Sequence, residues 1–469
     1  MIPLTANWKA YNALAAKRRV TTVSFSSYPR VFTTQVESSY AGQYPWIISL
    51  NGGGISSDSM SGFAKRGQMT VCVADIAGLL SADFQSAILD GQTATIQTGF
   101  VGMAPADFAT IATMQVEKVD VAECGNAYDI VLRDLGIELD NPVYQYGDDG
   151  WPVSDNHQKT VQLGPMALIE DVLVNQVGYS SSRLNSTAMA WYTNNLFFNM
   201  TLQFFLKNAP QAEEFLSTEL FKALWGFGFW NYAGQFTPHF HAAVNPVLAL
   251  DLWDGVNAPP SGFLSGLGAA IQSPLPVEQA GDYYTDVQYR LDYDGQTYTS
   301  CIDSAFGTAE PFDLSREFVI QAKGLRSPLG GALYTRLVSW VLFQRYGLRP
   351  VTLPCEIDWT AIALEPGDLV PVSHPLIKKR PTGAAVSTGS GIGLSYELFH
   401  VDKIAPNWEN GTVRLDMTDV NYLNNGPWEI APDGAGVWTS GGAATKNIYI
   451  ASASTGEYSD GTPGRPLYP

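Results

Sequence analysis

Residues 330–372 read GGALYTRLVSWVLFQRYGLRPVTLPCEIDWTAIALEPGDLVPV, and a change of period inside this stretch decides the fold. Leu333, Leu337, Val341 and Tyr346 recur at roughly the helical spacing. Gly347 stands where a left-handed cap belongs, and Pro350 forbids continuation. Beyond it the period falls to two. Leu353, Cys355, Ile357 and Trp359 share one face of a strand, and Leu364-Glu365-Pro366-Gly367-Asp368 reverses the chain into Leu369-Val370-Pro371-Val372. The pattern predicts a strand pair closed by this turn and packed with the preceding helix. Nothing in it is arranged for catalysis.

The rest of the chain has the same character. With 469 residues, 45% of them hydrophobic, it is long enough for several domains with real cores. Only 15% are charged while 12% are aromatic, and 44 glycines and 28 prolines supply turns, so a β-dominated protein is expected. A formal charge of −18 excludes a grip on nucleic acid by phosphate neutralisation. Acidic walls would instead let a polyanion pass without sticking. Cys72, Cys124, Cys301 and Cys355 are too scattered for a zinc site and are read as buried thiols, a disulfide staying open. Cys72 lies in the apolar run Met69-Thr70-Val71-Cys72-Val73, a core-strand context.

The first residues carry no secretory signal. Residues 7–19 read as a short helix with Trp8, Tyr11, Leu14 and Ala15 on one face and Lys17, Arg18 and Arg19 at its C-terminal end. No apolar run reaches the roughly 18 residues of a membrane span. The best candidate, 188–206, is interrupted by Asn194, Asn195, Asn199 and Gln203.

The expected organisation is an N-terminal helix (1–19), a first tube-like β-module (20–135), a middle α/β domain (136–280), a second tube-like β-module (281–425) and a Gly-rich β-extension (426–469). In fold class this is a β-dominated α+β multidomain protein, with two β-barrel modules that each carry a packed helix. The first module reads as strands 20–25 and 46–50, a reversal at Asn51-Gly52-Gly53-Gly54, a strand ending near Val73, a helix at 83–89, and strands 93–100 and 111–121. In the middle domain Pro165 opens a helix with Met166, Ile169, Leu173 and Gln176 on one face, which Gly178 ends. A second helix comes after Pro210, and then a hairpin turned at Ala233-Gly234. The second module repeats the architecture of the first, without repeated words, and a flexible loop at 378–393 interrupts it.

Candidate chemistry is sparse. His239 and His241 are two apart on a strand, so they point to one side and could share a zinc ion. Asp251 or Asp254 would have to be recruited by the fold as a further ligand. Two exposed or hydrogen-bonded histidines are the favoured reading, and no metal, cofactor or catalytic residue is assigned. Glu170-Asp171, Glu213-Glu214, Asp292 with Asp294, and Asp148-Asp149 sit in polar turns or on helix faces, whereas general acid/base work wants an apolar cleft. No nucleophile elbow is present. Gly389, Ser390, Gly391 and Gly393 belong to a low-complexity stretch rather than a phosphate loop. Trp225, Phe227, Phe229, Trp230, Tyr232 and Phe236 could form a sugar-binding platform, but hairpin alternation favours buried packing. Sequons at Asn185, Asn199 and Asn410 mean little without a secretory signal.

In their order these pieces resemble the central hub of tailed-phage tail tips and baseplates, the family of the tip attachment protein J of long-tailed phages and the baseplate hub of contractile-tailed phages. Leu163-Gly164-Pro165-Met166-Ala167-Leu168-Ile169-Glu170-Asp171-Val172-Leu173 looks like the helix that opens that family's second domain. Residues 220–240, a helix and then a Gly-rich aromatic hairpin, match the family's next segment. The 330–346 helix with the Pro366-Gly367-Asp368 turn resembles the third domain.

The resemblance implies a homotrimer whose subunits each supply two tube-like modules, making a pseudo-sixfold ring that continues or closes the tail tube. It also implies a lumen that passes DNA during ejection, a place in the virion after assembly in the bacterial host cytoplasm, and no enzymatic activity. Implied partners are a tail tube or distal tail protein, the tape measure protein, and tip or fibre proteins. The chain lacks the long receptor-binding extension of many relatives, so a separate fibre or tip protein is expected to recognise the host. The Lys378-Lys379-Arg380 loop either contacts a neighbouring tail protein or is solvated. A secreted glycan-binding or glycan-hydrolysing protein, and a subunit of an injection machine or gene-transfer particle, are the rival readings.

Overall fold

The computed structural model describes residues 2–14, 17–35, 43–57, 62–84, 89–122, 125–145, 159–241, 252–253, 269–270, 277–278, 284–305, 316–346, 350–373, 397–420, 429–431 and 449–452. Cys124, Asp148, Asp149, Asp251, Asp254, Gly347 and the 378–393 loop lie outside them.

The chain opens with α1 (Ala6–Asn12), β1 (Arg19–Phe25), β2 (Val31–Thr33), β3 (Gln43–Tyr44), β4 (Ile47–Gly52), β5 (Ile55–Ser57), β6 (Ala64–Arg66) and β7 (Met69–Ala74). Then come α2 (Leu79–Phe84), β8 (Thr93–Phe100), β9 (Ala109–Val121) and β10 (Ala127–Arg133). The first sheet has the order β3-β2-β1-β8-β9-β10-β7-β4. A helix stands at Leu79–Phe84, where the Asp75 carboxylate accepts the Leu80 and Ser81 amides, and residues 85–88 of the helix expected at 83–89 lie outside the described residues.

The middle of the chain forms β11 (Lys159–Leu163), α3 (Pro165–Glu170), α4 (Ser186–Asn195), β12 (Leu202–Leu206), α5 (Ala212–Glu214), β13 (Gly226–Trp230) and β14 (Phe236–Phe240). Pro165 starts α3 as expected, Met166, Ile169 and Leu173 are buried, and Gly178 takes a positive φ of 91°. Both α3 and α5 run on into π-helical turns, Asp171–Gln176 and Phe215–Lys222, which the helical period does not announce.

Next come β15 (Leu252–Trp253), β16 (Ala269–Ala270), β17 (Val277–Glu278), β18 (Asp286–Tyr293), β19 (Tyr298–Ala305), β20 (Glu317–Gln321), α6 (Gly331–Tyr346), β21 (Val351–Asp358), β22 (Leu369–Ser373), β23 (Glu397–Asn407) and β24 (Thr412–Asp419). The second sheet has the order β16-β15-β22-β23-β24-β21-β17. Strand β5 joins it by pairing with β23, Ile55 opposite Ile404 and Ser56 opposite Lys403, and brings β6 with it. A separate three-stranded sheet has the order β19-β18-β20.

The strand pair expected from 353–372 does not form. Instead β21 runs into a buried 3-10 turn, Trp359–Ala363, which carries the chain across the sheet, so that β22 pairs with β23 while β21 pairs with β24. The reversal itself is as expected. The Asp368 amide donates to the Glu365 carbonyl, and Gly367 has φ +90°, the geometry a Pro-Gly turn favours.

The first sheet takes the same path. Strand β7 leads through the 3-10 turn Ile76–Gly78 and α2 to the meander β8-β9-β10, and β10 returns to pair with β7. Both sheets therefore contain four antiparallel strands in the Greek-key order β8-β9-β10-β7 or β22-β23-β24-β21, with a helical crossover after the first in sequence. Each also has a bulge at the same place, on the middle strand of the meander. Glu117 is the extra residue between the pairs Val116↔Leu132 and Lys118↔Val131, and Asp402 is the extra residue between Val401↔Met417 and Lys403↔Asp416.

Among the described residues neither path closes on itself, so the barrels expected from the sequence are open sheets. The two sheets bury their apolar faces on each other instead. Val23, Val71, Ile96 and Met114 of the first share one core with Leu353, Ile357, Val370 and Leu415 of the second. The alternation read at 353–359 holds, with Leu353, Cys355, Ile357 and Trp359 all buried. Of the other cysteines, Cys301 is exposed and Cys72 sits on the outer side of β7, which corrects the reading of both as core thiols. The N-terminal helix, expected over 7–19, ends at Asn12, and Leu14 is exposed.

A second core gathers the middle segment, the three-stranded sheet and α6. Here Tyr334, Val338, Val341, Leu342 and Tyr346 face inward, with Val287, Tyr289 and Leu291 in the same cluster. The stripe is thus rotated from the expected one, leaving Leu333 57% exposed. Helix α6 packs on β18 and β19, and Thr335, Ser339 and Arg345 are buried among the apolar residues of the same face. Just before it Gly330 has φ +89°, and a Cβ there would lie 2.8 Å from the Asn199 carbonyl oxygen. Gly330→Ala is therefore expected to lose about 1–3 kcal/mol, read as a lower urea midpoint; an unchanged midpoint would contradict the constraint.

Candidate functional site

The hairpin β13–β14 is the wall between the two cores. Gly226 and Gly228 face the second core, where an added Cβ would collide with Phe240 and Phe236 at 2.5 and 2.2 Å. Phe227 and Phe229 face the first. Strand alternation puts Phe236 and Phe240 in the second core and turns His239, which pairs opposite Phe227, the other way. His241 comes directly after, its amide donating to the Trp225 carbonyl at 3.1 Å. Trp225 is held at φ +51°, an uncommon conformation for a bulky side chain, with its ring 4.8 Å from that of His241.

On this side the hairpin meets β23. Phe399 and Val401 point into the first core, while His400 reaches the hairpin with Asp402 behind it. His239, His241 and His400 converge, with one nitrogen from each lying within 4.8 Å of the others. The His400 and His239 Nε2 atoms are 3.3 Å apart, and His400 Nδ1 is 3.1 Å from the Asp402 Oδ1. Thr418 Oγ1 donates to the other Asp402 oxygen at 2.5 Å. From the last turn of α6, Arg345 brings one guanidinium nitrogen 3.4 Å from His241 Nδ1 and another 3.8 Å from Asp402 Oδ1. The Pro-Gly turn closes the floor, for a Cβ on Gly367 would sit 2.7 Å from His239 Nδ1.

Burial sets the electrostatics. His400 and His241 are buried and His239 half-buried. Burial, then His400 and Arg345, hold His239 and His241 well below an imidazole's ordinary value. His400 is also lowered by burial, against the pull of Asp402. Burial works to raise the Asp402 carboxyl, but His400, Arg345 and Thr418 keep it below its usual range. The cluster is a set of neutral imidazoles beside an anion and a cation, able to accept a proton or a metal ion.

The sequence singled out His239 and His241, and the fold brings them together as expected. It missed His400, Asp402 and Arg345. The available signal was His400-Val401-Asp402, a second pair of polar residues two apart on an apolar strand. The carboxylate pairs are engaged in local structure. Asp171 accepts from Tyr144 and Asn175, Glu213 pairs with Lys65, Asp292 accepts from Ser327, and Asp294 accepts the Gln296 and Thr297 amides. Trp225, Phe227, Phe229, Trp230 and Phe236 are buried, so the hairpin presents packing rather than a ring platform. Asn185 caps α4 by accepting from the Ala188 amide. Among the described residues no helix is long and apolar enough to cross a membrane.

No family model matches the chain, and no curated protein sequence matches it. Solved structures with similarity to it include the 43 kDa tail protein of prophage MuSo2 from Shewanella oneidensis, 11% identical over 87% of this chain and 99% of that one, with a TM-score of 0.42. A tail protein from Neisseria meningitidis MC58 is 11% identical over 92% of this chain and 99% of its own, with a TM-score of 0.44. Prophage tail protein gp18 from Listeria monocytogenes EGD-e is 10% identical over 87% and 95%, with a TM-score of 0.42. The structural neighbours of this chain are thus phage tail proteins, at low sequence identity.

Proposed function

We propose that this chain is a structural hub subunit of a phage tail tip or baseplate, acting as a homotrimer rather than as an enzyme. The observation that carries the reading is the repeated path of the two sheets, each with a helical crossover and a bulged middle strand. Three copies of a chain with two such repeats supply six similar positions, which is what a ring continuing or closing a tail tube needs. The common core holds the two repeats rigidly together, so each subunit contributes two fixed neighbours.

In this reading residues 20–135 and 281–425 carry the tube-like modules, the second through its strands β21–β24, flanked by the 1–19 helix and the 426–469 extension, and the second core that joins the 136–280 domain to the three-stranded sheet and α6 stands outside the ring. A net charge of −18 suits a lumen that passes DNA without holding it. The partners are a tube or distal tail protein, the tape measure protein and tip or fibre proteins. The site of action is the virion, after assembly in the host cytoplasm.

Light scattering on the purified protein tests the reading. The expected mass is three times the 50.9 kDa of the chain, with rings in negative-stain images. A monomer at all concentrations, or trimers without a central opening, would sink it.

A further inference from the structure

The ring proposed above makes no use of the histidine cluster, whose geometry points to a ligand. Asp402 is acceptor-only, so the His400 Nδ1 facing it at 3.1 Å carries the hydrogen and leaves a lone pair on Nε2. That lone pair is aimed at His239 Nε2, 3.3 Å away. Two nitrogens that each lie about 2.0–2.1 Å from a tetrahedral ion are separated by about 3.3–3.4 Å. The third imidazole stands close enough to complete a triangle, with one nitrogen from each ring within 4.8 Å of the others, and it closes in on the other two when an ion is bound. A carboxylate behind a ligating histidine is the usual arrangement that fixes its tautomer, and Asp402 is itself held by Thr418.

We propose that His239, His241 and His400 bind one divalent transition-metal ion, zinc by ligand chemistry, which clips the β13–β14 hairpin to the second sheet. All-imidazole ligation selects zinc, cobalt, nickel or copper over magnesium and calcium, which prefer oxygen. Arg345 is the competing cation, within reach of both His241 and Asp402. Loading requires it to yield His241 and settle on the Asp402 carboxylate. The rings of Trp225 and Phe227 flank the site, and with three protein ligands the fourth position of a tetrahedral ion would fall to water.

The test uses the untagged full-length protein, stripped with chelator and titrated with Co2+ by absorption spectroscopy and with Zn2+ by calorimetry. One ion per chain is expected, with a tetrahedral cobalt spectrum that Zn2+ abolishes and a rise in thermal midpoint on loading. His400→Gln should remove binding, and Asp402→Asn should weaken it about 10–100-fold. Arg345→Gln should tighten it. His157→Gln and His374→Gln, which alter the two remaining histidines of the five, should leave the stoichiometry at one. Absence of stoichiometric binding by the wild type overturns the proposal whatever the variants do. So does full binding by a folded His400→Gln protein.

Discussion

Replacing Trp359 by alanine is expected to remove about 3–5 kcal/mol of stability, the usual result of emptying a buried tryptophan site. The indole is 1% exposed, lies 5.5 Å from the Trp408 ring with Arg19 stacked 4.7 Å from its centroid, and donates from Nε1 to Thr98 Oγ1 at 3.2 Å. Thr98 also receives Trp8 of α1, whose Nε1 donates to its carbonyl at 3.1 Å. Trp359 thus joins the crossover of the second sheet, a central strand of the first and the N-terminal helix at one point. Amide exchange should accelerate in both sheets of the Trp359→Ala protein. Loosening confined to β21–β24 would show that the two sheets are not one cooperative unit.

The metal-free protein should lose stability steeply on mild acidification. An imidazole whose folded-state value is depressed binds fewer protons folded than unfolded, so its contribution is present above the ordinary value near 6.5 and is lost as pH falls below it. The slope approaches about 1.4 kcal/mol per pH unit for each imidazole kept neutral. Three of them facing Arg345 make this a large effect, which the single Asp402 carboxylate offsets only at His400. Asp368 acts in the opposite sense. Burial pushes its carboxyl up to about 6, so the folded chain gains protons there, and stability, as pH falls toward 3.8. Asp134 is also raised by burial, and with three histidines against these two aspartates the urea midpoint should drop between pH 7.5 and 5.5. His400→Gln should reduce the slope by about one proton. A midpoint that is flat over this range would mean that the cluster is solvated in the folded protein.

Much of the fold was legible because it is local. The strand at 93–100, the turn at Gly367, the glycine-hinged hairpin at Gly234 and the start of α3 at Pro165 are written within a few residues of themselves. Pairing at a distance could not be read. The alternation of 353–359 and 369–372 fixes which side chains face inward but is silent on partners, and a buried 3-10 turn looks like any short apolar run. The α6 stripe was misplaced because its buried face includes Thr335, Ser339 and Arg345, residue types a hydrophobic pattern ignores. The site was half visible for the same reason. His239 and His241 announce each other at a spacing of two, whereas His400 reaches them only through the fold.

The loan of β5 to β23 has a consequence for how this molecule is made. On the ribosome the hairpin Ile55–Ser57/Ala64–Arg66 emerges early, but the strand it must dock on is translated near the end of the chain. Co-translational folding of the N-terminal portion can at best leave that hairpin dangling with unsatisfied amides, a sticky edge in the crowded cell. Genetic fragments cut in the middle should therefore precipitate when expressed separately, and become soluble only when both pieces are made together.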